Sequence, residues 1–338
     1  MITPSSQPVS RRHPLHNRVV VIAGASSGIG RAAAHAFATC GARLVLAARN
    51  QQALADVAGE CTTIGAHALV VPTDVSDAAA VAALARRAVD AFGRIDVWIN
   101  NAGVGLFGPF ENAGIEVHRR VVEINLFGAM NGAAAVLPYF RQQGAGVMIT
   151  NISLGGFAPV PFAAAYTAAK FALRGFMASL RQELADRPDI HICSLFPAVI
   201  DTPGFEHGAN DSDVALSAGR VVFPPQKVAA AMVSLARRPR PELPVGWPSR
   251  LARLSYGTAP QTTERLLGAV FRHYVRSSPP QPRRLGNLFE PSRGRMSPSG
   301  GRKNRVGATR IGSSLALAGL VGLGGAWLLA HSAHRNRD

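Results

Sequence analysis

Val19–Gly30 reads VVVIAGASSGIG, and this stretch decides the fold. Four β-branched residues in succession, closed by alanine and glycine, predict a short strand buried on both faces. Gly24, Gly28 and Gly30 follow in a GxxxGxG spacing where that strand gives way to an alanine-rich helical pattern. Glycines at such a junction let the backbone turn tightly and approach a pyrophosphate, while the helix N-terminus offers free N–H groups and partial positive charge. Ser26 and Ser27 add hydroxyls, and Ile29 sits between the second and third glycines. A glycine triplet also occurs in purely structural turns; the strand before it and the helix after it point to a dinucleotide.

Outward from this junction the pattern repeats. Strands are predicted at Arg43–Ala47, Ala68–Val71, Ile95–Ile99, Gly146–Asn151 and Ile190–Phe196, with Val245–Gly246 the remnant of a seventh. Helical periodicity fills Asn50–Glu60, Ala78–Phe92 behind a capping Asp77, Ile115–Gln142 and Pro161–Asp186. Strands alternating with helices of this length imply right-handed parallel crossovers. The fold class is therefore α/β: a single Rossmann-type doubly wound parallel sheet with helices on both faces. Its expected extent is 17–250, after a disordered 1–16 and before a helical extension at 251–276.

The rest of the chain is different in kind. Of 36 Lys and Arg, 18 lie in 237–338, against 4 of the 20 Asp and Glu, so the net charge of +16 sits almost entirely in the last third. Residues 277–310 are rich in Ser, Pro, Gly and Arg and predict a basic, mostly disordered linker. Residues 311–330, IGSSLALAGLVGLGGAWLLA, carry no charge and predict a transmembrane or membrane-anchoring helix. A basic segment beside an apolar run suits anionic lipid, and nucleic acid is not expected as a partner. The three cysteines, Cys40, Cys61 and Cys193, have neither metal-ligand nor redox spacing, so no metal is expected and a reducing compartment is. No secretory signal precedes the first strand. The expected location is the membrane with the catalytic domain in the cytoplasm, a soluble cytoplasmic protein being the alternative.

The end of the second strand reads Ala47-Ala48-Arg49-Asn50, without a carboxylate to hold a ribose 2′-hydroxyl. Arg49 can instead grip a 2′-phosphate, which predicts NADP(H), with NAD the second choice. Asp74, after the third strand, is placed either to accept from the adenine amino group or to serve its own turn. Asn101, Ala102 and Gly103 end the fourth strand and face the cofactor crevice.

Tyr166 and Lys170 stand four apart on a predicted helix and face the same way. A free phenol with a pKa near ~10 is too weak an acid to serve as a base at neutral pH. A neighbouring ammonium favours phenolate, so the pair is expected to lower the Tyr166 pKa and to exchange a proton with an alcohol or carbonyl oxygen. Ser153, after the fifth strand, is placed to polarise that oxygen.

These pieces resemble the short-chain dehydrogenase/reductase family: GASSGIG at 24–30, NNAG at 100–103, Asn125 in EINLFG, Ser153 in TNISLGG, YTAAK at 166–170 and Pro197–Thr202. The resemblance covers about residues 17–246 and looks like the common carbonyl/alcohol branch. It implies that Tyr166 is the acid/base, Lys170 tunes it and binds the nicotinamide ribose, Ser153 orients substrate and Asn125 holds a proton-relay water. It places Pro197 and Thr202 beside the nicotinamide, with Ala198 where the family pattern has glycine. The variable substrate loop then falls at about 203–222, and dimers or tetramers are implied. The expected activity is interconversion of a carbonyl and an alcohol on a small molecule, with the apolar tail hinting at a lipophilic one, against two other readings: a non-catalytic NADP-binding scaffold and a membrane-tethered interaction protein.

Overall fold

The computed structural model describes residues 13–216, 221–292 and 294–301. The expected apolar helix at 311–330, the end of the basic linker and residues 1–12 lie outside the described residues. Along the chain run β1 (Val19–Ala23), α1 (Gly28–Thr39), β2 (Arg43–Ala48), α2 (Gln51–Thr63), β3 (Ala68–Pro72), α3 (Ala78–Phe92) and β4 (Val97–Asn100). After these come β5 (Leu106–Phe107), α4 (Ile115–Val122), a π-helical turn at Glu123–Phe127, α5 (Gly128–Gln143) and β6 (Gly146–Asn151). A 3₁₀ turn at Leu154–Gly156 leads to α6 (Ala164–Glu183), β7 (Ile190–Pro197), α7 (Gly204–His207) and β8 (Ala209–Asn210). The last elements are α8 (Pro225–Arg237), β9 (Glu242–Val245), α9 (Trp247–Thr258) and α10 (Pro260–Ser277).

Seven strands form one sheet in the order β3-β2-β1-β4-β6-β7-β9, every pair parallel. The doubly wound expectation holds, and β9 is the full seventh strand of which the sequence showed a remnant. Parallel strands need both faces covered, which is why β1, β2 and β4 read as apolar runs rather than alternations. One face packs α1, α2 and α8 through Phe37, Leu54, Val57 and Met232. The other packs α3, α4, α5 and α6 through Leu84, Val121, Phe140 and Met177. Asn50 caps α2 by accepting from the Ala53 N–H at 3.0 Å, and Asp77 caps α3 by accepting from Ala79 and Ala80.

The continuous helical run 115–143 is long and apolar enough to cross a membrane. Its apolar side is spent on the sheet, with Ala129, Ala133, Val136 and Phe140 buried, so it is a core helix here. The strand order reverses between β1 and β4, and the crevice at the carboxyl ends of those strands is where such sheets bind ligands.

Candidate active site

The glycine loop lies where the sequence put it. Gly24 has φ +89°, and a Cβ there would meet the Ala102 nitrogen at 2.6 Å; at Gly30 it would run into the Gly24 carbonyl and the Asn101 amide. Backbone therefore packs against backbone, which only glycine permits. Asn101 ties this junction together: its Nδ2 donates to the Gly24 carbonyl at 2.8 Å, and its Oδ1 accepts from Asn151 Nδ2 at 2.8 Å. Ser27 precedes α1 and makes no capping bond with its hydroxyl. Gly24, Ser26, Ser27, Gly28 and Ile29 line a cavity of about 920 Å³ that continues past Ala102 and Gly103 to Tyr166.

At the far end of that cavity stand Arg49 and Asp74. Asp74 has taken the turn role: its Oδ1 accepts from the Ser76 N–H and hydroxyl, and its Oδ2 pairs with Arg120 at 2.7 Å. Burial pushes its carboxyl pKa up, but the Ser76 bonds and the Arg120 guanidinium outweigh that and leave it below the usual range. Arg49 has no carboxylate within ion-pair distance among the described residues. Its guanidinium donates to the carbonyls of Asn287, Leu288, Phe289 and Glu290.

The structure brings Ser153, Tyr166, Lys170 and Asn125 together at the opposite end. Ser153 sits at φ +118°, a backbone conformation that L-residues rarely adopt. Its hydroxyl bonds the Tyr166 phenol and also accepts from the Gly155 N–H at 3.2 Å. Lys170 is buried with Nζ 3.5 Å from the Asn151 carbonyl and 5.4 Å from the Tyr166 ring centroid. Asn125 occupies the π-helical turn. Its Nδ2 donates to the Val104 and Val121 carbonyls, while its buried Oδ1 has no protein partner among the described residues. A point one Cβ out from Gly103 is 2.9 Å from that Oδ1 and 3.7 Å from Lys170 Nζ, so the oxygen and the ammonium flank one small space. An unpaired buried acceptor facing a buried donor across such a gap suits a bridging water or ligand hydroxyl.

One expectation is corrected. The Tyr166 phenol is not lowered: burial raises it, and only the Ser153 hydrogen bond pulls the other way. The Lys170 ammonium is itself pushed down to about 8 by burial. In this protein-only site desolvation outweighs any attraction between the two, because each is removed from water and their closest relation is cation to ring.

Pro197 ends β7 and, with Thr202, lines the cavity; Thr202 also abuts Gly28, 3.3 Å from where a Cβ would be. Ala198, which stands where the family pattern has glycine, is not among the residues with positive φ, so its backbone is unstrained. Above this end of the cavity the wall is apolar, built by Phe107, Phe205, Trp247, Leu267, Phe271 and Tyr274. Leu267, Phe271 and Tyr274 come from α10 at helical spacing, a signal present in the sequence but indistinguishable there from an ordinary packing face. Arg120 and the 287–301 stretch are the other site components that sequence reasoning missed, since partners such as Asp74 for Arg120 and Arg49 for Glu290 lie 46 and 241 residues away. The described part of the expected linker thus lies on the domain: Leu288 is fully buried, and its carbonyl accepts from Arg49, after β2, and from Arg120 of α4.

A glycine-lined crevice at the switch point of a doubly wound sheet, ending in a Ser–Tyr–Lys cluster, defines a nicotinamide-dependent oxidoreductase. Residues 18–212 match the short chain dehydrogenase family, and this chain belongs to it. It is an NAD(P)-dependent dehydrogenase/reductase. It is similar to the uncharacterized oxidoreductase YxnA of Bacillus subtilis, 32% identical over 328 residues, covering 94% of this chain and 91% of that one. Among solved structures it resembles an alcohol dehydrogenase from the archaeon Thermococcus sibiricus complexed with 5-hydroxy-NADP, at TM-score 0.61 and 29% identity, covering 68% of this chain and 96% of that one. A variant actinorhodin polyketide ketoreductase with NADPH superposes at TM-score 0.62 and 28% identity, covering 68% and 95%.

Proposed function

We propose that this chain is an NADP(H)-dependent oxidoreductase that interconverts a ketone or aldehyde with the corresponding alcohol. The observation that carries the reading is the convergence of Ser153, Tyr166, Lys170 and Asn125 at one end of a crevice whose other end holds Arg49. The residues present suit the cofactor: a cradle that Cβ atoms would fill and, among the described residues, an arginine without a carboxylate partner at the adenosine end and a buried oxygen without a hydrogen-bond partner at the catalytic end. When bound, the nicotinamide supplies or accepts the hydride. The Ser153 hydroxyl donates to the substrate oxygen and fixes its position. The Tyr166 hydroxyl gives that oxygen a proton, or takes one from it. Lys170 Nζ and Asn125 Oδ1 then hold the water or ribose hydroxyl through which the phenol is resupplied.

The apolar wall from α9, α10 and Phe205 supports a lipophilic carbonyl or secondary alcohol as substrate class. The uncharged 311–330 run supports membrane attachment with the domain on the cytoplasmic side, and assembly into dimers or tetramers belongs to the same reading. NADPH oxidation against a panel of aldehydes and ketones of increasing hydrophobicity tests it. Turnover confined to NADPH and rising with substrate hydrophobicity is expected; preference for NADH, unmoved by Arg49→Ala, would overturn the cofactor assignment.

A further inference from the structure

The stretch 287–301 crosses the open side of the nucleotide crevice, and it is held by the groups a dinucleotide phosphate would use. Four consecutive carbonyls, from Asn287 to Glu290, converge on the Arg49 guanidinium, at 3.2 Å for Leu288, 3.1 Å for Phe289 and 3.4 Å for Glu290. The Ser297 carbonyl accepts from the Gly28 N–H at 3.1 Å, the first free N–H of α1. Between these points Asn50 Nδ2 donates to the Ser292 carbonyl at 3.0 Å and Arg31 Nη1 to the Met296 carbonyl at 2.8 Å. Arg120 Nε adds a bond to the Leu288 carbonyl at 3.1 Å. The stretch is pinned at both ends: Leu288 is fully buried, and Ser299 Oγ donates to Asp201 Oδ2 at 2.6 Å while the Gly300 N–H donates to the Asp201 carbonyl at 3.2 Å. Asn287, Pro291, Ser292 and Met296 form part of the wall of the cavity that the glycine loop also lines.

These are neutral oxygens seated on a cation and on a helix N-terminus. A phosphate is a charged, stronger acceptor for the same donors, and a guanidinium can fork onto it with two parallel bonds. Carbonyls and phosphate cannot share the guanidinium, since both take its Nη hydrogens and would repel each other. We propose that residues 287–301 are a strap that closes the crevice in the free enzyme and competes with the dinucleotide, the 2′-phosphate displacing it by taking Arg49 from the 287–290 carbonyls. This rests on the NADP(H) reading above and adds to it a closed state that the cofactor must open. Competition is reciprocal: whatever weakens the strap tightens the phosphate ligand, and the ligand loosens the strap by the same factor.

The test uses the full-length chain and two fragments of the cofactor, 2′,5′-ADP and 5′-AMP, which differ in the 2′-phosphate. Hydrogen exchange is followed for the amides of 287–300, of which Asn287 and Gly300 are hydrogen-bonded to the domain. Saturating 2′,5′-ADP is expected to speed that exchange, and 5′-AMP at equal occupancy, lacking the 2′-phosphate, is expected to leave the Arg49-held end at 287–290 near the unliganded rate. Calorimetry on Leu288→Ser, and on the milder Ser299→Ala, is expected to show 2′,5′-ADP and NADPH bound roughly threefold to tenfold more tightly than by the parent chain, as the closed fraction falls. Slower exchange with 2′,5′-ADP, or weaker binding by Ser299→Ala, would mean the strap clamps the cofactor instead of competing, and the proposal fails. If 2′,5′-ADP binds and exchange is unchanged, the strap proposal falls while the NADP(H) reading stands. If neither NADPH nor 2′,5′-ADP binds parent or variants, the cofactor reading fails and the strap proposal with it.

Discussion

Lys170 is buried and Tyr166 is partly buried against the core, and that desolvation sets how each responds to pH. Burial disfavours the charged form of Lys170, whose pKa falls from 10.5 to about 8. Below about 8 the ammonium is charged in both the folded and unfolded chains, so the whole penalty of burying it is carried. Between about 8 and 10.5 the folded protein releases the proton while the unfolded chain keeps it, and the penalty is relieved as pH rises. The melting temperature of the parent, measured relative to Lys170→Met, should therefore climb from pH 7 to pH 10; a constant difference across that range would refute the argument. The Tyr166 phenol is raised, so phenolate is scarce at neutral pH. Alcohol oxidation, which needs the phenolate, should accelerate with pH between 7 and 9, whereas carbonyl reduction, which needs the phenol, should not gain. Initial rates in both directions decide this. Tyr166→Phe should lose about 10²–10⁴-fold in turnover while NADPH titration remains unchanged.

Elements place these residues, and here the difference between what could and could not be read beforehand is one of distance along the chain. GASSGIG and YTAAK are legible because the strand, glycines and helix register that give them meaning lie within a few residues. Asn125 could be named only through its surrounding motif. Nothing in EINLFG announces that the helix widens into a π-turn there, where Asn125 Oδ1 is buried without a protein partner among the described residues. Asp74 shows the limit from the other side: its turn role was visible in Asp-Val-Ser, but its ion pair with Arg120 was not, because α4 comes beside β3 only through the tertiary fold. The expected effect of ammonium on phenol failed for a related reason, since burial is a property of the assembled fold and no spacing encodes it. Helix caps are local again. Asp77→Ala removes acceptors for the Ala79 and Ala80 N–H groups and should lower stability by about 1 kcal/mol in urea unfolding without altering activity. A loss below a few tenths would show that α3 is held by packing alone.

For the whole molecule, two halves of the sheet meet at the crevice, and the last described residues of the chain come back to the same place. Composition suggested a mostly disordered linker after residue 277; the described part of it is stitched to the end of β2 and to α1 by arginine and asparagine side chains that donate to its carbonyls, and to the loop after β7 by its own Ser299 hydroxyl donating to Asp201. Proline- and glycine-rich chain makes no ladder of its own, so its carbonyls are open to donors elsewhere, and this surface supplies them. Deleting 303–338 removes none of those contacts. Turnover should survive that deletion, and a membrane-pelleted chain should move to the supernatant; persistence in the pellet would remove 311–330 as the anchor.

Gly301 follows Gly300, whose N–H donates to the carbonyl of Asp201, next to Thr202 of the crevice wall. Only residues 302–310 separate it from the uncharged run that begins at Ile311. Nine residues fully stretched reach about 30 Å. With that run seated in a bilayer, the catalytic mouth is leashed to the lipid surface by less than the width of the domain, and an oily substrate leaving the membrane would need little travel through water to arrive.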